Sequence, residues 1–498
     1  MISKIRNRII DFSKNQKINP IIYGIAIGLY PMLYYYDRNF SLVNSWSQLT
    51  MFLLVFILLP MVVCFVIQKI SEVTSYLGLI KFALPIFNLV YFFWLVVIST
   101  LGQKLEALAL AGLLGTLLGF TLRKYLNKII IFQLLLALVI SPKLVPNILY
   151  QINYRTDWIQ QPDAILSAKF RKMPNVYVIQ PDGYANFHEL GRGYYIYNNN
   201  EFEDFLKQKG FKTYPGFRSN YISTLSSNSS MFSMKHHYFN NPRKGSNEVY
   251  NSRDIIVGKN AVVEIFNNNG YYTNLVLEKS YLLVNRPKMG YDYCNIESDK
   301  LSFLARGFEI NRNITDDLKA CMNKKNMQPQ FYFIEKLKPG HISTTANLSK
   351  GTKEEREGYL EELNEANLWL MDTVEFIEQS DPNALIVIMA DHGGYVGFDY
   401  VAQNKIKQTD PDLIKSIYTA ALAIKWPDGI APEYDAKLKT NVNLFRILIA
   451  YLSEDKILLE HLQADKSYTV IEKGAPFGVY EYIDEDYTTV FNKWEHQD

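Results

Sequence analysis

Asp391 and His392 stand side by side directly after a continuous apolar run, residues 384–390, and before two glycines. An apolar run rich in β-branched residues is typical of a strand buried on both faces of a parallel sheet. Such sheets bind ligands just beyond the carboxyl ends of their strands, so this carboxylate and imidazole are candidate metal ligands. The alternative is a strand end that carries two solvated polar residues.

Asp182 repeats this arrangement earlier in the chain. Residues 176–179 predict a buried strand, and Pro181, Asp182 and Gly183 follow as a turn. Asp182 is therefore either a second carboxylate at the same sheet edge or only a turn former.

A hydroxyl-rich stretch, residues 218–234, is the candidate source of a nucleophile. Its hydroxyl residues are Ser219, Ser223, Thr224, Ser226, Ser227, Ser229, Ser230 and Ser233. The free N–H groups of a helix start can hold a phosphate-like anion, and a divalent metal can activate a hydroxyl by lowering its pKa. The alternative is a flexible polar loop.

His341 lies with Lys336 and Lys338 in a loop after a predicted strand, residues 331–335. An imidazole close to two ammonium groups beyond a strand could bind an anionic group. The alternative is an ordinary loop residue.

An alternation of strands and helices must position these side chains. The predicted strands are 176–179, 331–335, 384–390 and 419–425, and the predicted helices are 200–211, 353–380 and 443–452. This alternation predicts an α/β domain with a central, mostly parallel sheet over residues 169–455. Residues 151–168 are predicted to be a linker, and residues 456–498 a C-terminal extension.

The N-terminal part predicts a membrane domain. Its apolar segments are 19–36, 46–68, 79–99, 105–122 and 127–149, each near the length that spans a bilayer. They predict a bundle of about five transmembrane helices over residues 1–150, and the alternative is a buried soluble helical domain.

The basic residues predict the orientation of this bundle. They cluster before the first span and between the fourth and fifth: Lys4, Arg6, Arg8, Lys14, Lys17, Arg123, Lys124 and Lys128. The loops after the first and third spans carry only Arg38 and Lys104. This asymmetry predicts a multi-pass protein of the plasma (inner) membrane, with residues after about 150 on the extracytoplasmic side.

Charge and cysteine content limit the partners. The 52 basic and 50 acidic residues give a net charge of +2, which argues against nucleic-acid binding. The three cysteines have no metal-binding spacing. Cys294 and Cys321 could form one disulfide, which would suit the outer compartment, or remain two free thiols.

The order of these motifs resembles the sulfatase-like branch of the alkaline phosphatase superfamily. The resemblance rests on Asp182, the 218–234 stretch, His341 and the ADHG motif at 390–393, and it covers most of 170–455. Residues 442–452, VNLFRILIAYL, also resemble a segment that follows the metal-binding strand in that family. Five spans before such a domain look like lipoteichoic acid synthases and phosphoethanolamine transferases.

The resemblance implies one divalent metal ion, Mn, Mg or Zn. The implied ligands are Asp182, Thr224, Asp391 and His392. Thr224 matches the nucleophile position, with Ser223 and Ser226 as open alternatives, and His341 is the implied substrate-binding residue. The carboxylate-rich ligand set favours a hard ion.

Two departures from the family pattern narrow the expected chemistry and the expected number of metal ions. Sulfatases carry a C/S-x-P-S-R pattern, whereas Thr224 is followed by Leu-Ser-Ser-Asn and neither Cys294 nor Cys321 lies in such a context. Some members use two metals with more His ligands, but here only His236 and His237 form a further pair. Sulfate-ester chemistry and a second metal are therefore not favoured.

The resemblance implies a membrane-anchored, metal-dependent phospho-group transferase or phosphodiesterase. Its substrate would be a phospholipid head group or a cell-surface glycan, with membrane lipid as a partner. The alternatives are a non-catalytic protein of cell-surface polysaccharide assembly and a sulfuric ester hydrolase.

Overall fold

The computed structural model describes residues 2–14, 19–73, 77–238, 249–323 and 327–494. The chain divides into two compact units. The first comprises Met1–Tyr154 with the short segments Val284–Arg286 and Leu301–Arg306, and the second comprises the remaining residues.

The first unit is helical. Its helices are α1 (Ile2–Lys14), α2 (Pro20–Asn39), α3 (Trp46–Phe52), α4 (Leu59–Val73), α5 (Leu77–Leu101), α6 (Leu105–Thr121) and α7 (Leu126–Asn153). A π-helical segment, Leu53–Leu58, joins α3 to α4. A helix thus covers each of the five apolar segments predicted from the sequence.

Within the described residues, three helical spans are long and apolar enough to cross a bilayer: Trp46–Val73, Phe82–Leu101 and Arg123–Asn153. The helix Leu105–Thr121 is apolar but shorter. Many of their large apolar side chains are exposed, including Leu113, Leu117 and Val139, as expected for surfaces that face lipid.

Small residues let α5 and α6 pack closely. A Cβ added at Gly115 would lie 2.6 Å from the Cα of Val90, and one at Gly119 would lie 2.5 Å from the Cα of Ile86. Close backbone approach of this kind is the usual way in which membrane helices associate. The amides of Asn88 and Gln133 satisfy each other at 2.9 Å and 3.3 Å between α5 and α7.

A seven-stranded sheet forms the centre of the second unit, in the order β2-β7-β6-β1-β5-β3-β4. The strands are β1 (Val176–Pro181), β2 (Lys212–Thr213), β3 (Tyr272–Leu277), β4 (Tyr293–Cys294), β5 (Gln330–Lys336), β6 (Leu385–Met389) and β7 (Leu422–Lys425). All pairs are parallel except those of β7 with β6 and β2, so the sheet is mostly parallel, as predicted.

Helices accompany this sheet. They are α8 (Phe187–Leu190), α9 (Asn200–Gln208), α10 (Thr224–Ser233), α11 (Ser252–Val257), α12 (Ala261–Asn268), α13 (Ile314–Met322), α14 (Thr352–Ser380), α15 (Pro411–Tyr418) and α16 (Asn441–Ser453). The strands β1 and β6 are buried along their whole length because apolar residues cover both faces.

The C-terminal residues form a separate antiparallel sheet of β8 (Ser467–Ile471), β9 (Gly478–Ile483) and β10 (Thr489–Lys493). The Ser467 hydroxyl donates to the Ser219 carbonyl at 2.6 Å, and the Tyr468 amide donates to the Asn220 carbonyl at 2.8 Å. This sheet therefore holds the beginning of the hydroxyl-rich stretch.

The predicted linker and the cysteine pair also have defined surroundings. Residues from Arg155 onward fall in the second unit, where Asp163 pairs with the buried Arg446 at 2.6 Å. Cys294 and Cys321 do not form a disulfide with each other. Burial, with a smaller contribution from nearby Cys321, raises the pKa of Cys294 to about 11.

Candidate active site

Two neighbouring parallel strands bring Asp182 and Asp391 together. Asp182 follows β1 and Asp391 lies just beyond β6, and these strands pair directly in parallel register. The Nε2 atom of His392 lies 3.4 Å from Asp182 Oδ1 and 3.5 Å from Asp391 Oδ2. All three side chains are buried at the carboxyl edge of the sheet, where parallel sheets bind ligands.

Thr224 completes this cluster. It is the first residue of α10, and Ser223 before it has extended backbone angles. The Thr224 hydroxyl lies 3.4 Å from Asp182 Oδ1 and 3.4 Å from His392 Nε2. The N-terminal amides of α10 are thus beside the same point, where the positive end of a helix favours an anion.

Close backbone contacts fix the loops that carry the two carboxylates. Gly183 has a φ of +67°, and a Cβ there would lie 2.1 Å from the Gly340 carbonyl oxygen. Its amide donates to Asp391 Oδ1 at 3.1 Å. A Cβ at Gly393 would lie 2.3 Å from the Ser416 carbonyl oxygen, so both loops require glycine.

The donor set fits a divalent cation. Asp391 Oδ2 is buried and accepts no hydrogen bond from the described residues, although such carboxylate oxygens rarely lack a partner. His392 Nδ1 lies 2.9 Å from the Gly393 carbonyl, which favours a proton on Nδ1 and a free Nε2 lone pair toward the carboxylates. Two carboxylates, an imidazole nitrogen and a hydroxyl together could hold one metal ion.

The electrostatics of the cluster also favour a bound cation. Burial and the neighbouring Asp391 carboxylate raise the pKa of Asp182 to about 7. Burial alone would lower the pKa of His392, but the carboxylates of Asp391 and Asp182 raise it. Adjacent buried carboxylates need a positive charge, and a proton or a metal cation can supply it.

Metal affinity is therefore expected to fall in acid. Below pH about 7 Asp182 holds a proton that a cation must displace, and His392 with its raised pKa must also release one, so the apparent affinity should drop by at least roughly tenfold per pH unit. Metal titrations of the purified protein between pH 5.5 and pH 8.5 measure this slope. An affinity that is constant over that range would contradict the raised pKa.

His341 lies at the edge of the cluster, next to His392. The Gly340 amide donates to the Asp182 carbonyl at 2.7 Å, which ties the His341 loop to the end of β1. The rings of His341 and His392 are 6.0 Å apart between centroids. The exposed His341 imidazole faces a cleft of about 720 Å³ that also reaches Asp182, Thr224 and His392.

The other hydroxyls of this stretch are engaged elsewhere. The Ser223 hydroxyl donates to Ser226 Oγ at 3.1 Å, and Ser226 is fully buried. The Ser227 hydroxyl lies 2.7 Å from that of Ser219. Among the described hydroxyl side chains of residues 218–234, Thr224 is the one that reaches both Asp182 and His392.

His236 and His237 pack as structural residues away from the cluster. Their Nε2 atoms each lie 2.8 Å from a backbone carbonyl, that of Ala464 and that of Ser226 respectively. The His237 ring stacks on Tyr221 with centroids 4.1 Å apart. Burial lowers the pKa of both imidazoles to about 4, so both are neutral parts of the core.

Sequence reasoning missed two residues beside the cluster. Glu335 on β5 is fully buried, and its carboxylate has no hydrogen-bond partner among the described residues. Burial, then repulsion from Asp182 and Asp391, raises its pKa well above the ordinary range. Asn441 donates to the Ala390 and Asp391 carbonyls at 3.2 Å each. A charged residue inside the apolar run FYFIEK was the available signal for Glu335.

Comparisons with known proteins found similar solved structures only. No family model and no curated protein sequence matches the chain. The chain is similar to lipooligosaccharide phosphoethanolamine transferase A from Neisseria meningitidis, with 12% identity over 85% of this chain and 95% of that one, at a TM-score of 0.39.

Two further solved structures come from other bacteria. The lipoteichoic acid synthase LtaP from Listeria monocytogenes has 14% identity over 66% of this chain and 90% of its own, at a TM-score of 0.41. The periplasmic domain of EptC from Escherichia coli, in complex with Zn, has 13% identity over 63% and 93% of the two chains, at a TM-score of 0.39.

Proposed function

We propose that this chain is a membrane-anchored, metal-dependent transferase or diesterase of phosphate esters, acting on a lipid head group or a cell-surface glycan. One observation carries the proposal: the Thr224 hydroxyl converges with Asp182, Asp391 and His392 at the edge of an open cleft. A hydroxyl at a helix start, surrounded by potential metal ligands, is suited to attack phosphorus.

Thr224 would act as the nucleophile. Its Oγ1 forms a bond to the phosphorus of the donor diester, the bond from phosphorus to the leaving oxygen breaks, and the leaving group departs as an alcohol after taking up a proton. The hydroxyl proton of Thr224 has Asp182 Oδ1 and His392 Nε2 as neighbours, each at 3.4 Å. An acceptor hydroxyl or water then attacks the phosphothreonine and releases Thr224.

Asp182, Thr224, Asp391 and His392 would hold one divalent ion. When bound, that ion lowers the pKa of the hydroxyl and offsets the charge of the transferred group. The carboxylate oxygens favour a hard ion such as Mn or Mg, while the imidazole also suits Zn.

His341 would bind the substrate. Its imidazole is exposed in the cleft, and its ring centroid lies 6.0 Å from that of His392. Its Nδ1 donates to the Ile342 carbonyl at 2.7 Å, so Nε2 can donate a hydrogen bond to a phosphate oxygen when the imidazole is protonated.

Intact-protein mass spectrometry after incubation with phospholipid donors tests this function. We expect an added mass equal to the transferred phospho-group on Thr224. Unchanged protein mass, together with no turnover of any donor, would favour the non-catalytic assembly role. Adduct formation from a sulfate ester but not from a phosphodiester would favour the sulfuric ester hydrolase.

The topology is a separate expectation. We infer that α2 and α6 cross the membrane together with the three longer spans, which places the second unit outside the cytoplasm. A reporter that is active only in the cytoplasm, fused after Asp498, should then be silent. Strong reporter activity would reverse the orientation and contradict an extracytoplasmic substrate.

A further inference from the structure

The cleft extends well beyond the proposed ligands along the segment that follows β3. Lys279, Tyr281, Phe308 and Asn311 line this part of it. Because β3 pairs in parallel with β5, the segment starts at the same carboxyl edge as the cluster. Lys279 and Asn311 form an isolated antiparallel bridge, which joins the two stretches that carry these side chains.

Lys279 is the cation of this cleft that remains available. The other cleft lysine, Lys338, pairs with Glu362 at 2.6 Å, and the cleft carboxylate of Glu278 pairs with Lys336 at 3.0 Å. Within the described part of the chain, Lys279 forms no ion pair. Its ammonium is therefore uncompensated and can bind an anionic group of a ligand.

Tyr281 and Phe308 form an aromatic surface next to this ammonium. Their ring centroids are 5.6 Å apart with an interplanar angle of 30°, and Phe308 is 59% exposed. Arg253 lies over the Tyr281 ring at 4.8 Å and donates to the Tyr281 carbonyl at 2.8 Å. Tyr281 is thus held in place, while the ring of Phe308 is open to a ligand.

We propose that Lys279, Tyr281 and Phe308 form a subsite for an anionic sugar unit of the substrate. Lys279 binds the phosphate or carboxylate of that unit, and the apolar face of the sugar ring packs on Phe308. This inference rests on the proposed function, because it assigns a glycan to the same cleft.

The cleft lining favours a sugar over an acyl chain. Its aliphatic side chains are those of Ile222, Leu337, Pro339 and Val401, and most of the remaining lining is charged, hydroxylic or aromatic. An acyl chain needs a continuous apolar surface, whereas a sugar needs polar groups around one aromatic face.

Ligand-observed NMR titration of the full-length protein in detergent tests the subsite without requiring turnover. The probes are glucose 6-phosphate, methyl glucuronide, methyl glucoside and inorganic phosphate, which separate the two anionic groups from the sugar ring. We expect both anionic sugars to bind more tightly than methyl glucoside and inorganic phosphate. Lys279→Gln should weaken the anionic sugars by about tenfold, because one charge-assisted hydrogen bond is lost.

Phe308→Leu provides the matched test of stacking. It retains an apolar side chain, and it should weaken both anionic sugars by roughly threefold while leaving inorganic phosphate unchanged. Equal affinities for all four probes, or no effect of Lys279→Gln on the anionic sugars, would overturn the subsite. Lys279-dependent binding to phosphatidylglycerol vesicles without sugar binding would overturn it in favour of a lipid.

Adduct formation and sugar binding, measured on the same proteins, separate this inference from the catalytic proposal. If the parent protein forms no adduct with any donor but binds these sugars through Lys279, the catalytic proposal fails and the subsite remains. If adducts form but Lys279→Gln binds the sugars normally, the subsite fails and the catalytic proposal remains.

Discussion

Thr224→Ala is expected to abolish both the covalent adduct and the turnover of phosphodiester donors. A methyl group cannot attack phosphorus, and loss of a covalent nucleophile typically lowers the rate by roughly 10³-fold to 10⁶-fold. The hydroxyl is also the group that reaches both Asp182 Oδ1 and His392 Nε2. Intact-protein mass spectrometry with a phospholipid donor measures the adduct, and release of the head-group alcohol measures turnover.

Matched variants separate loss of the hydroxyl from disturbance of the helix start. Thr224→Val keeps the shape of the side chain and should be as inactive as Thr224→Ala. Thr224→Ser retains a hydroxyl and should keep part of the activity. Thermal unfolding of each variant shows whether α10 is still formed.

Ser223 and Ser226 provide the competing assignments. The Ser223 hydroxyl donates to Ser226 Oγ at 3.1 Å, so Ser223→Ala and Ser226→Ala should lose much less activity than Thr224→Ala. An active Thr224→Ala with an inactive Ser223→Ala or Ser226→Ala would move the nucleophile and preserve the mechanism. If all of these variants behave like the parent protein, the hydroxyl mechanism itself is wrong.

The elements of the site were largely predictable from local sequence. The apolar runs before Asp182 and Asp391 indicate buried strands, and the structure has β1 and β6 there. Hydrophobic periodicity likewise predicted the long helix α14, Thr352–Ser380. These signals are local because the spacing of apolar residues along a short segment indicates which faces of a strand or helix are buried.

Local sequence could not predict that the side chains of the site come together. The strand β1 lies between β5 and β6, which follow it by about 150 and 210 residues, and such neighbours are set by the packing of the whole sheet. Family resemblance supplied the grouping of Asp182 with Asp391 and the choice of Thr224. It could not distinguish Thr224 from Ser223, whereas the start of α10 at Thr224 gives the two hydroxyls different surroundings.

The region between β3 and β5 shows the same limit more strongly. Residues 251–330 contain no motif, so Lys279 and Phe308 carried no functional signal in the sequence. They matter only because β3 pairs with β5 and places its carboxyl end beside the cleft. The C-terminal strands were missed for a similar reason: their role in holding Ser219 and Asn220 depends on contacts across some 250 residues of chain.

Asp391→Ala is expected to lose the bound metal while the protein remains folded. The Asp391 carboxylate is completely buried, with Oδ1 accepting the Gly183 amide at 3.1 Å and Oδ2 lacking a hydrogen-bond partner among the described residues. Removing one charged ligand should weaken metal binding by at least about 100-fold, since changes to groups that only support a ligand already cost 10-fold to 100-fold. Leaving the buried Gly183 amide without this acceptor costs about 1–3 kcal/mol of folding free energy, and removing a buried charge offsets part of that cost.

Elemental analysis after desalting, with thermal unfolding on the same samples, measures both consequences of Asp391→Ala. Asp391→Asn keeps the size of the side chain and an oxygen for the Gly183 amide, so it isolates the effect of the charge and should also bind metal weakly. Asp399→Ala removes an exposed carboxylate further along the same loop and should retain the metal content of the parent protein. Full metal occupancy in Asp391→Ala would show that the cation binds elsewhere, and the buried Asp391 would then be a structural acceptor for Gly183.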